Sequence, residues 1–222
     1  MRRIYLFLVI CAMQVILFAG VATAQEIGFF DGFDYFDTTR WSKENHNLGR
    51  SYLNPNNVSV GNGNLQIKIP AHTLDGGEIR SNDLKSYGTY YTRMNLPNAP
   101  SSITGFFLYK SPDYESEIDV ELYNDSSRRI VFSTYANGSR THTKTMLLPF
   151  DATAGFHRYR FDYASGSVAF YADGKLMKVF VTNIPQTSMH LLVNTWFPSW
   201  LEGRKQNHVA YNLVDYVGYK PR

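Results

Sequence analysis

Three acidic residues alternate with two apolar ones near the middle of the chain, in the order Glu117-Ile118-Asp119-Val120-Glu121. Side chains on a β-strand alternate between its two faces, so this spacing predicts three carboxyl groups on one face and two apolar side chains on the other. Neighbouring like charges repel one another, and this repulsion raises the pKa of at least one carboxyl group. Such a row is suited to chemistry in which one carboxylic acid donates a proton while another carboxylate attacks.

The expected distance between the outer two carboxyl groups indicates the type of chemistry. At about 3.3 Å per residue, the Cα atoms of Glu117 and Glu121 lie roughly 13 Å apart, and inward-leaning side chains bring their carboxyl groups to about 5 to 6 Å. Retaining glycosidases separate their carboxyl groups by about 5 to 5.5 Å, and inverting glycosidases by about 6.5 to 9.5 Å. The spacing therefore favours a retaining glycosidase, with Asp119 as a hydrogen-bonding partner. An isolated alternation of this kind also occurs on solvent-facing strand edges, so the rest of the chain must decide.

The elements that would position these carboxyl groups are predicted to be β-strands. No sustained helical periodicity follows the N-terminal segment, and short alternating or apolar runs recur between clusters of turn residues. Asp173-Gly174 predicts a tight hairpin, because both residues accept a positive φ. The pattern predicts an all-β fold with two packed antiparallel sheets. The predicted strands span residues 65–69, 88–95, 104–110, 115–123, 130–135, 157–163, 168–172, 176–181, 189–195 and 209–219.

The N-terminal segment predicts export. Arg2 and Arg3 precede an apolar run over residues 4–21, and Ala22-Thr23-Ala24 follows it, which is the three-part pattern of a secretory signal peptide. Cleavage is expected after Ala24; the alternative is a membrane anchor, since the run is nearly long enough to span a bilayer. Residues 25–222 are then expected to form one domain, secreted to the extracellular space or the periplasm.

Composition excludes several functions. Cys11 is the only cysteine and lies in the predicted signal peptide, so the mature chain is expected to hold no disulfide. Arg2 and Arg3 account for two of the 22 basic residues, and the remainder nearly balances the 19 acidic ones. This balance argues against a nucleic-acid or membrane-surface partner. No clustered metal ligands, phosphate loop or dinucleotide motif appears, which argues against metal hydrolysis and nucleotide chemistry. We expect a monomer.

Further motifs, in order, resemble glycoside hydrolase family 16, and the likeness covers nearly all of residues 25–222. They are Phe29-Phe30-Asp31-Gly32-Phe33-Asp34 with Arg40-Trp41, Gly77-Glu78-Ile79-Arg80-Ser81, Tyr87-Gly88-Thr89-Tyr90-Tyr91-Thr92-Arg93-Met94, Phe106-Phe107-Leu108-Tyr109, Gly155-Phe156-His157-Arg158-Tyr159 and Tyr171-Ala172-Asp173-Gly174. The resemblance, which is best to the lichenase branch, implies a concanavalin-like β-jelly-roll sandwich. It also implies an endo-acting enzyme that cleaves β-linked polysaccharide, with β-glucan the expected substrate. Glu117 would be the nucleophile, Asp119 its electrostatic and hydrogen-bonding helper, and Glu121 the general acid and then base.

The resemblance also implies a set of substrate-binding residues, namely Glu78, Arg80, Tyr135, Asn194, Trp196 and Trp200. Glu78 and Arg80 would contact sugar hydroxyls, although a cross-strand ion pair without a ligand role is the alternative. A tryptophan in the cleft would stack on a sugar ring, whereas a tryptophan in a sandwich is often part of the core.

The resemblance requires no cofactor, but many family members hold a structural calcium, which Asp215, Gly32 and Gly63 would supply with oxygen ligands. Two departures from lichenases affect sugar specificity. Only three residues separate Trp196 from Trp200, and Glu115 replaces a tryptophan, which is expected to add a carboxylate beside the cleft.

Three alternatives remain open from the sequence. The same active site serves a transglycosylase, which passes the glycosyl group to another sugar, or a depolymerase of the producer's own exopolysaccharide. A sandwich fold also serves lectin-like modules that bind sugars without catalysis. A binding module has no need of an aligned Glu-x-Asp-x-Glu, which favours an enzyme.

Overall fold

The computed structural model describes residues 27–222, so the predicted signal peptide and Cys11 lie outside the described residues. Within this range no helix is long and apolar enough to cross a membrane. The regular elements of residues 27–222 are one 3-10 turn at Pro55–Asn57 and 17 strands. The strands are β1 (Phe29–Asp31), β2 (Trp41–Lys43), β3 (His46–Leu48), β4 (Ser51–Leu53), β5 (Val58–Gly61), β6 (Asn64–Ile69), β7 (Gly77–Ser81), β8 (Gly88–Asn95), β9 (Ile103–Lys110), β10 (Ser116–Tyr123), β11 (Arg129–Ala136), β12 (Ser139–Leu147), β13 (His157–Ala164), β14 (Ser167–Ala172), β15 (Lys175–Val181), β16 (His190–Trp196) and β17 (Ala210–Pro221).

The strands form two large antiparallel sheets. The front sheet has the order β12-β11-β10-β9-β16-β7-β2, and the back sheet has the order β15-β14-β13-β8-β17-β6-β5, with β1 also paired to β17. Strands β3 and β4 form a separate two-stranded hairpin. The predicted all-β fold with two packed sheets is therefore confirmed, and every predicted strand is found within two residues of its expected bounds.

Side-chain alternation on β10 places the acidic residues on one face and the core residues on the other. Ile118 and Val120 are almost completely buried and belong to the main hydrophobic cluster between the sheets. Phe106 of β9 packs against Phe161 of β13, with ring centroids 5.3 Å apart, and so joins the front sheet to the back sheet. Burial of each such side chain contributes about 1.5 to 3 kcal/mol. A shift of β10 by one residue would bury Asp119 in this core, so core packing fixes which face carries the acids.

The hairpin between β14 and β15 confirms another local prediction. Asp173 and Gly174 form its turn with φ values of 46° and 80°, the left-handed conformation that both residues tolerate.

Candidate active site

The three acids of β10 lie side by side on the outer face of the front sheet. Asp119 is only 5% exposed, and Glu117 and Glu121 are partly buried on either side of it. In the register of the sheet, Glu117 lies between Tyr109 of β9 and Tyr135 of β11. The expected alternation is therefore found, with all three carboxyl groups on one face and Glu117 flanked by two aromatic rings.

Burial makes ionisation of these carboxyl groups unfavourable. It raises the pKa of Glu121 to about 7, and it raises the pKa of Glu117 to about 7 against a hydrogen bond from Asp119 that lowers it. Negative charge on Glu121 adds to the rise at Glu117. Burial also raises the pKa of Asp119 well above its ordinary value, followed by the charges of the two glutamates. The arrangement favours one or more protonated groups near neutral pH.

The two outer glutamates differ in their hydrogen bonds. Asp119 is the most buried of the three, and besides the effect of burial its hydrogen bond with Glu117 raises the pKa of Asp119 and lowers that of Glu117. This bond favours the charged form of Glu117, whereas the pKa of Glu121 is raised by burial alone. The hydrogen bond with Asp119 thus distinguishes Glu117 from Glu121, although burial raises the pKa of both groups to about 7.

A row of hydrogen bonds runs from β10 across the front sheet. Glu121 is opposite Gly105 of β9, and Gly105 is opposite Asn194 of β16, which is opposite Glu78 of β7. The Asn194 side chain accepts a hydrogen bond from the Gly105 N–H at 3.1 Å and donates one to Glu78 Oε2 at 2.8 Å. A Cβ at position 105 would lie 2.6 Å from Asn194 Oδ1, so glycine is required for this side chain to cross the strand.

Glu78 and Arg80 lie in the cleft, but each has a partner that the sequence did not reveal. Glu78 Oε1 lies 3.0 Å from His46 Nε2, and Arg80 Nε donates to Glu44 Oε1 at 3.0 Å. Arg80 Nη1 also lies 3.3 Å from His190 Nε2. Each residue thus forms an ion pair of the kind that the alternative expected, Glu78 with His46 and Arg80 with Glu44, and binding of sugar hydroxyls by Glu78 and Arg80 stays a prediction.

The partners of Glu78 and Arg80 have shifted ionisation. The hydrogen bond to Glu78 is the main cause of a raised pKa at His46. Burial opposes ionisation of Glu44, but hydrogen bonds from Ser42 and Arg80 outweigh it and lower the Glu44 pKa. Ligand atoms of Glu44, His46 and Glu78 lie within 4.8 Å of one another, as a metal site requires, but these groups are already paired within the protein.

Aromatic side chains form the remaining walls. Trp196 is 8% exposed and Trp200 is 62% exposed, and their rings meet edge to face with centroids 5.3 Å apart. Tyr135 packs against Tyr114 with centroids also 5.3 Å apart. Trp196 therefore offers the cleft little surface, whereas Trp200 and Tyr114 are open to a ligand.

Two cavities meet at these residues. The larger has a volume of 840 Å³ and contains all six expected substrate-binding residues and the three acids in its lining. The second, of 630 Å³, extends over β11 and β12. The two cavities share Tyr114, Glu121, Tyr135 and Trp200, whereas Glu117 and Asp119 line the larger cavity alone.

Sequence reasoning missed much of this lining. The missed residues include Glu44, His46, Phe107, Tyr109, Tyr114, Tyr123, Arg140, Thr143, Thr145 and His190. Phe107 and Tyr109 share the alternation of β9 and were accessible to the same period-two argument as the acids. The expectation that Glu115 adds charge beside the cleft is wrong, because Glu115 lines a separate cavity of 240 Å³ with Asn137 and Ile184.

The expected calcium residues lie at the back sheet, with Asp215 in β17, Gly32 directly after β1 and Gly63 in the turn between β5 and β6. Strand pairing places Asp31 opposite Val217 and Leu65 opposite Val214, so Gly32 and Gly63 approach the bulge at Asp215 from its two ends. The neighbouring Asn64 Oδ1 is buried without a hydrogen-bond partner in residues 27–222, which fits an oxygen ligand for calcium. The Asp215 carboxylate, however, accepts a hydrogen bond from Arg93 Nη1 at 2.6 Å. Calcium binding stays a prediction, and Arg93 would compete with the ion.

Comparison with known proteins gives a consistent result. The model of "Glycosyl hydrolases family 16" matches residues 46–217. A beta-glucanase of Bacillus subtilis is 32% identical over 99% of this chain and 98% of its own length. The solved structure of a Bacillus licheniformis beta-glucanase has a TM-score of 0.81 at 29% identity, covering 88% of this chain and 98% of that one. A beta-1,3-1,4-glucanase (lichenase) from a mouse hindgut metagenome has a TM-score of 0.79 at 26% identity, covering 88% and 99%.

Proposed function

Since the chain belongs to glycosyl hydrolase family 16 and is a glycoside hydrolase, we propose that it is a secreted endo-β-glucanase that retains the configuration of the cleaved bond. The observation that carries the proposal is the row of Glu117, Asp119 and Glu121 in the larger of two open cavities, which meet at Glu121. A groove open on both sides of the acids suits attack within a polymer. The Bacillus subtilis and Bacillus licheniformis relatives named beta-glucanase support β-glucan as the substrate.

In the first step Glu121 donates its proton to the glycosidic oxygen as the Glu117 carboxylate attacks the anomeric carbon. The bond between this carbon and the glycosidic oxygen breaks, and a covalent glycosyl–Glu117 ester forms. The released sugar leaves as an alcohol that carries the proton of Glu121. Asp119, which donates a hydrogen bond to Glu117, orients the attacking carboxylate and limits the repulsion among the three groups.

In the second step the Glu121 carboxylate removes a proton from water. The water oxygen attacks the anomeric carbon, and the bond to Glu117 breaks. Two displacements at one carbon return the product in its original β configuration. Glu121 ends the cycle protonated and Glu117 ends it ionised, as both began.

These roles indicate which cavity binds the sugar that is attacked and which binds the leaving sugar. The sugar that is attacked must lie beside Glu117, which lines only the larger cavity, and the leaving sugar must lie beside Glu121, which lines both. The larger cavity is therefore the glycone side, and the cavity over β11 and β12 is the aglycone side. His46, Glu78 and Asn194 would form hydrogen bonds with hydroxyls of the glycone, and Trp200 lies where the two cavities meet.

The test uses the purified mature chain against lichenan, laminarin, xyloglucan, agarose and a bacterial exopolysaccharide. We expect a ladder of oligosaccharides from a β-glucan, with β-anomers as the first products in proton NMR, and no product from Glu117→Gln. Glu117→Ala supplied with azide should form an α-glycosyl azide, since only one displacement then occurs. Full activity of Glu117→Gln, or α-anomers as first products from the wild type, would refute the mechanism.

The aglycone cavity favours a second outcome of the same chemistry. Ser133 and Thr143 share a hydrogen bond of 3.1 Å there, and their hydroxyls lie among Tyr123, Tyr135 and Arg140. Such a surface would hold an acceptor sugar that competes with water for the glycosyl–enzyme. Products longer than the oligosaccharide supplied would show transglycosylation. The lectin-like alternative is not retained, because a purely binding protein gains nothing from three buried carboxyl groups of raised pKa.

Export, domain organisation and oligomeric state belong to the proposal as well. We expect the exported protein to begin at Gln25 and to run as a monomeric single domain over residues 25–222. N-terminal sequencing and light scattering test these expectations directly.

A further inference from the structure

One arginine side chain joins four points of the backbone beside the cleft. Arg50 follows Gly49 in the turn between β3 and β4. Its Nε donates to the Pro198 carbonyl at 3.1 Å and its Nη1 to the Gly203 carbonyl at 3.1 Å. Its Nη2 donates to the Leu201 carbonyl at 2.6 Å and to the Ser101 carbonyl at 3.4 Å. The planar, fixed fork of a guanidinium suits this set, because several carbonyls converge on one group.

The segment that Arg50 holds has little regular structure of its own. It runs between the end of β16 at Trp196 and the start of β17 at Ala210. Within residues 197–203, the Leu201 N–H donates to the Pro198 carbonyl at a long 3.4 Å, and this is the only internal backbone hydrogen bond there. Within residues 27–222 the carbonyls of residues 201 and 203 therefore have Arg50 as their only hydrogen-bond donor, and the carbonyl of Pro198 has only the long bond from Leu201 in addition. The flanking strands β16 and β17 do not depend on Arg50, because hydrogen bonds to their neighbouring strands hold them.

The backbone of the turn between β3 and β4 also packs against residues 197–203. The Arg50 N–H donates to the Phe197 carbonyl at 2.8 Å, and the Phe197 N–H donates to Ser51 Oγ at 2.8 Å. A Cβ on Gly49 would lie 2.6 Å from the Trp196 ring and 2.9 Å from the Phe197 carbonyl oxygen. Turn and segment are thus in direct contact, which places the Arg50 side chain against the carbonyls of the segment.

Trp200 is the side chain that this segment presents. It lines both cavities next to Glu121, it is 62% exposed, and its indole nitrogen makes no hydrogen bond within residues 27–222. Apart from the edge contact with Trp196, its position is therefore set by the backbone that carries it.

We propose that Arg50 is a positioning residue that holds Trp200 in place as the sugar-stacking platform at the junction of the two cavities. Arg50 does not contact the substrate; it fixes the backbone from which Trp200 reaches the glucose units on either side of the cleaved bond. Loss of the guanidinium weakens substrate binding and leaves the three acids unchanged. This inference rests on the proposed function, because it takes a glucan as the ligand of Trp200.

The kinetic test compares Arg50→Met with Arg93→Met on the preferred β-glucan. Methionine keeps an unbranched apolar stem but donates no hydrogen bond. We expect KM to rise about tenfold in Arg50→Met, the scale of one lost stacking contact, with kcat within about twofold of the wild type. Arg93→Met removes an arginine that pairs with Asp215 on the back sheet and should leave KM unchanged. A fall in kcat with unchanged KM, or equal effects of both substitutions, would overturn the proposal.

A double-mutant cycle separates positioning from a general structural role. If Arg50 acts through Trp200, Arg50→Met should add less than about twofold to the KM of Trp200→Ala, so the two effects are far from additive. Full additivity would contradict the proposal. Should Arg50→Met not fold, Arg50→Lys replaces it in the same cycle. Lysine keeps the charge but not the fork, and we expect a smaller rise in KM that is likewise lost in the Trp200→Ala background.

A substrate-free measurement distinguishes failure of this inference from failure of the proposed function. Trp41 and Trp196 are buried, so acrylamide quenching of tryptophan fluorescence reports mainly on Trp200. We expect Arg50→Met to change the quenching constant, and the change to vanish in a Trp200→Phe background. If the wild type cleaves no β-glucan, the proposed function fails and quenching alone decides the role of Arg50. Unchanged quenching in Arg50→Met would overturn the inference whatever the substrate.

Discussion

His46 Nε2 lies 3.0 Å from Glu78 Oε1, so a half-exposed imidazole covers a carboxylate that is only 3% exposed. The other ring nitrogen, Nδ1, lies 3.2 Å from the Asn47 carbonyl oxygen. Two acceptors, one at each nitrogen, suit the doubly protonated ring, in which both nitrogens are donors. Protonation of His46 therefore makes this contact an ion pair, and the raised His46 pKa favours that form.

Replacement of His46 by Gln should lower Tm more at acidic than at alkaline pH. The hydrogen bond to Glu78 raises the His46 pKa above its ordinary 6.5, so the folded state binds this proton more tightly than the unfolded state. The stabilisation is complete below about pH 6.5 and is lost as the pH rises through the folded-state pKa. Scanning calorimetry from pH 5 to pH 9 measures the difference. His208→Gln, at an exposed site, is the control, and a Tm difference that grows with pH would refute the assignment.

Glu117→Gln should change Tm mainly at alkaline pH and should raise it, in contrast to His46→Gln. The raised pKa of about 7 means that the charged form is disfavoured in the folded state, so stability falls as pH rises from the ordinary value of 4.5 through 7. Each pKa step costs about 1.4 kcal/mol, and each kcal/mol moves Tm by about 2 to 4 °C in a chain of this size.

Glutamine removes this cost, so we expect Glu117→Gln to melt several degrees above the wild type at pH 8 and near it at pH 4. Hydrolysis should fall by about a thousandfold or more in the same variant, since no nucleophile remains. Calorimetry and product assays on one preparation test both results. An equal or lower Tm at pH 8 would show that burial of the carboxylate carries no such cost.

Gly105→Ala should impair both activity and stability. The new methyl group would lie 2.6 Å from Asn194 Oδ1, so the Asn194 side chain must move and its hydrogen bond to Glu78 weakens. We expect kcat/KM to fall at least about tenfold and the free energy of unfolding to fall by about 1 to 3 kcal/mol. Gly155→Ala is the matched control, because no atom lies within 4 Å of its added methyl group. Wild-type kinetics in Gly105→Ala would show that the hydrogen bonds of Asn194 to Gly105 and Glu78 do not contribute to activity.

Calcium should raise Tm through Asp215. We expect millimolar calcium to raise the Tm of the wild type, a chelator to reverse the rise, and Asp215→Asn to abolish it. Arg93→Met should enlarge the rise, because it removes the arginine that competes for the Asp215 carboxylate. Isothermal calorimetry checks binding directly. A Tm that does not respond to calcium in Arg93→Met would exclude the site.

The sequence predicted the parts of the site that follow from strand periodicity. Glu117, Asp119 and Glu121 share one face because side chains alternate, and the apolar Ile118 and Val120 determine which face is outward. The same alternation applies to Phe107 and Tyr109, which were left out of the expected site. β12 was missed because its sequence is polar and mostly exposed, so no apolar alternation marks it.

The remaining parts depend on contacts between distant residues. His46 lies on a strand of three residues, too short to show a period, and pairs with a residue 32 positions away. Arg50 bonds to carbonyls up to 153 positions away. Nothing local in the sequence distinguishes these two side chains from other polar residues in a turn, so only the packed fold reveals what they hold.

The hairpin of β3 and β4 has a consequence for divergence within the family. Its ladder joins neither large sheet. It is attached to the rest of the fold by the isolated bridge between Leu53 and Gly76, by the backbone hydrogen bond from the Arg50 N–H to the Phe197 carbonyl, and by side chains and loops. It nonetheless carries His46 at one wall of the groove and Arg50 behind another. An insertion, a deletion or a graft in these few residues would therefore remodel both walls in a single event while the acids stay untouched. We therefore expect chimeras that exchange this hairpin between relatives to differ in substrate preference.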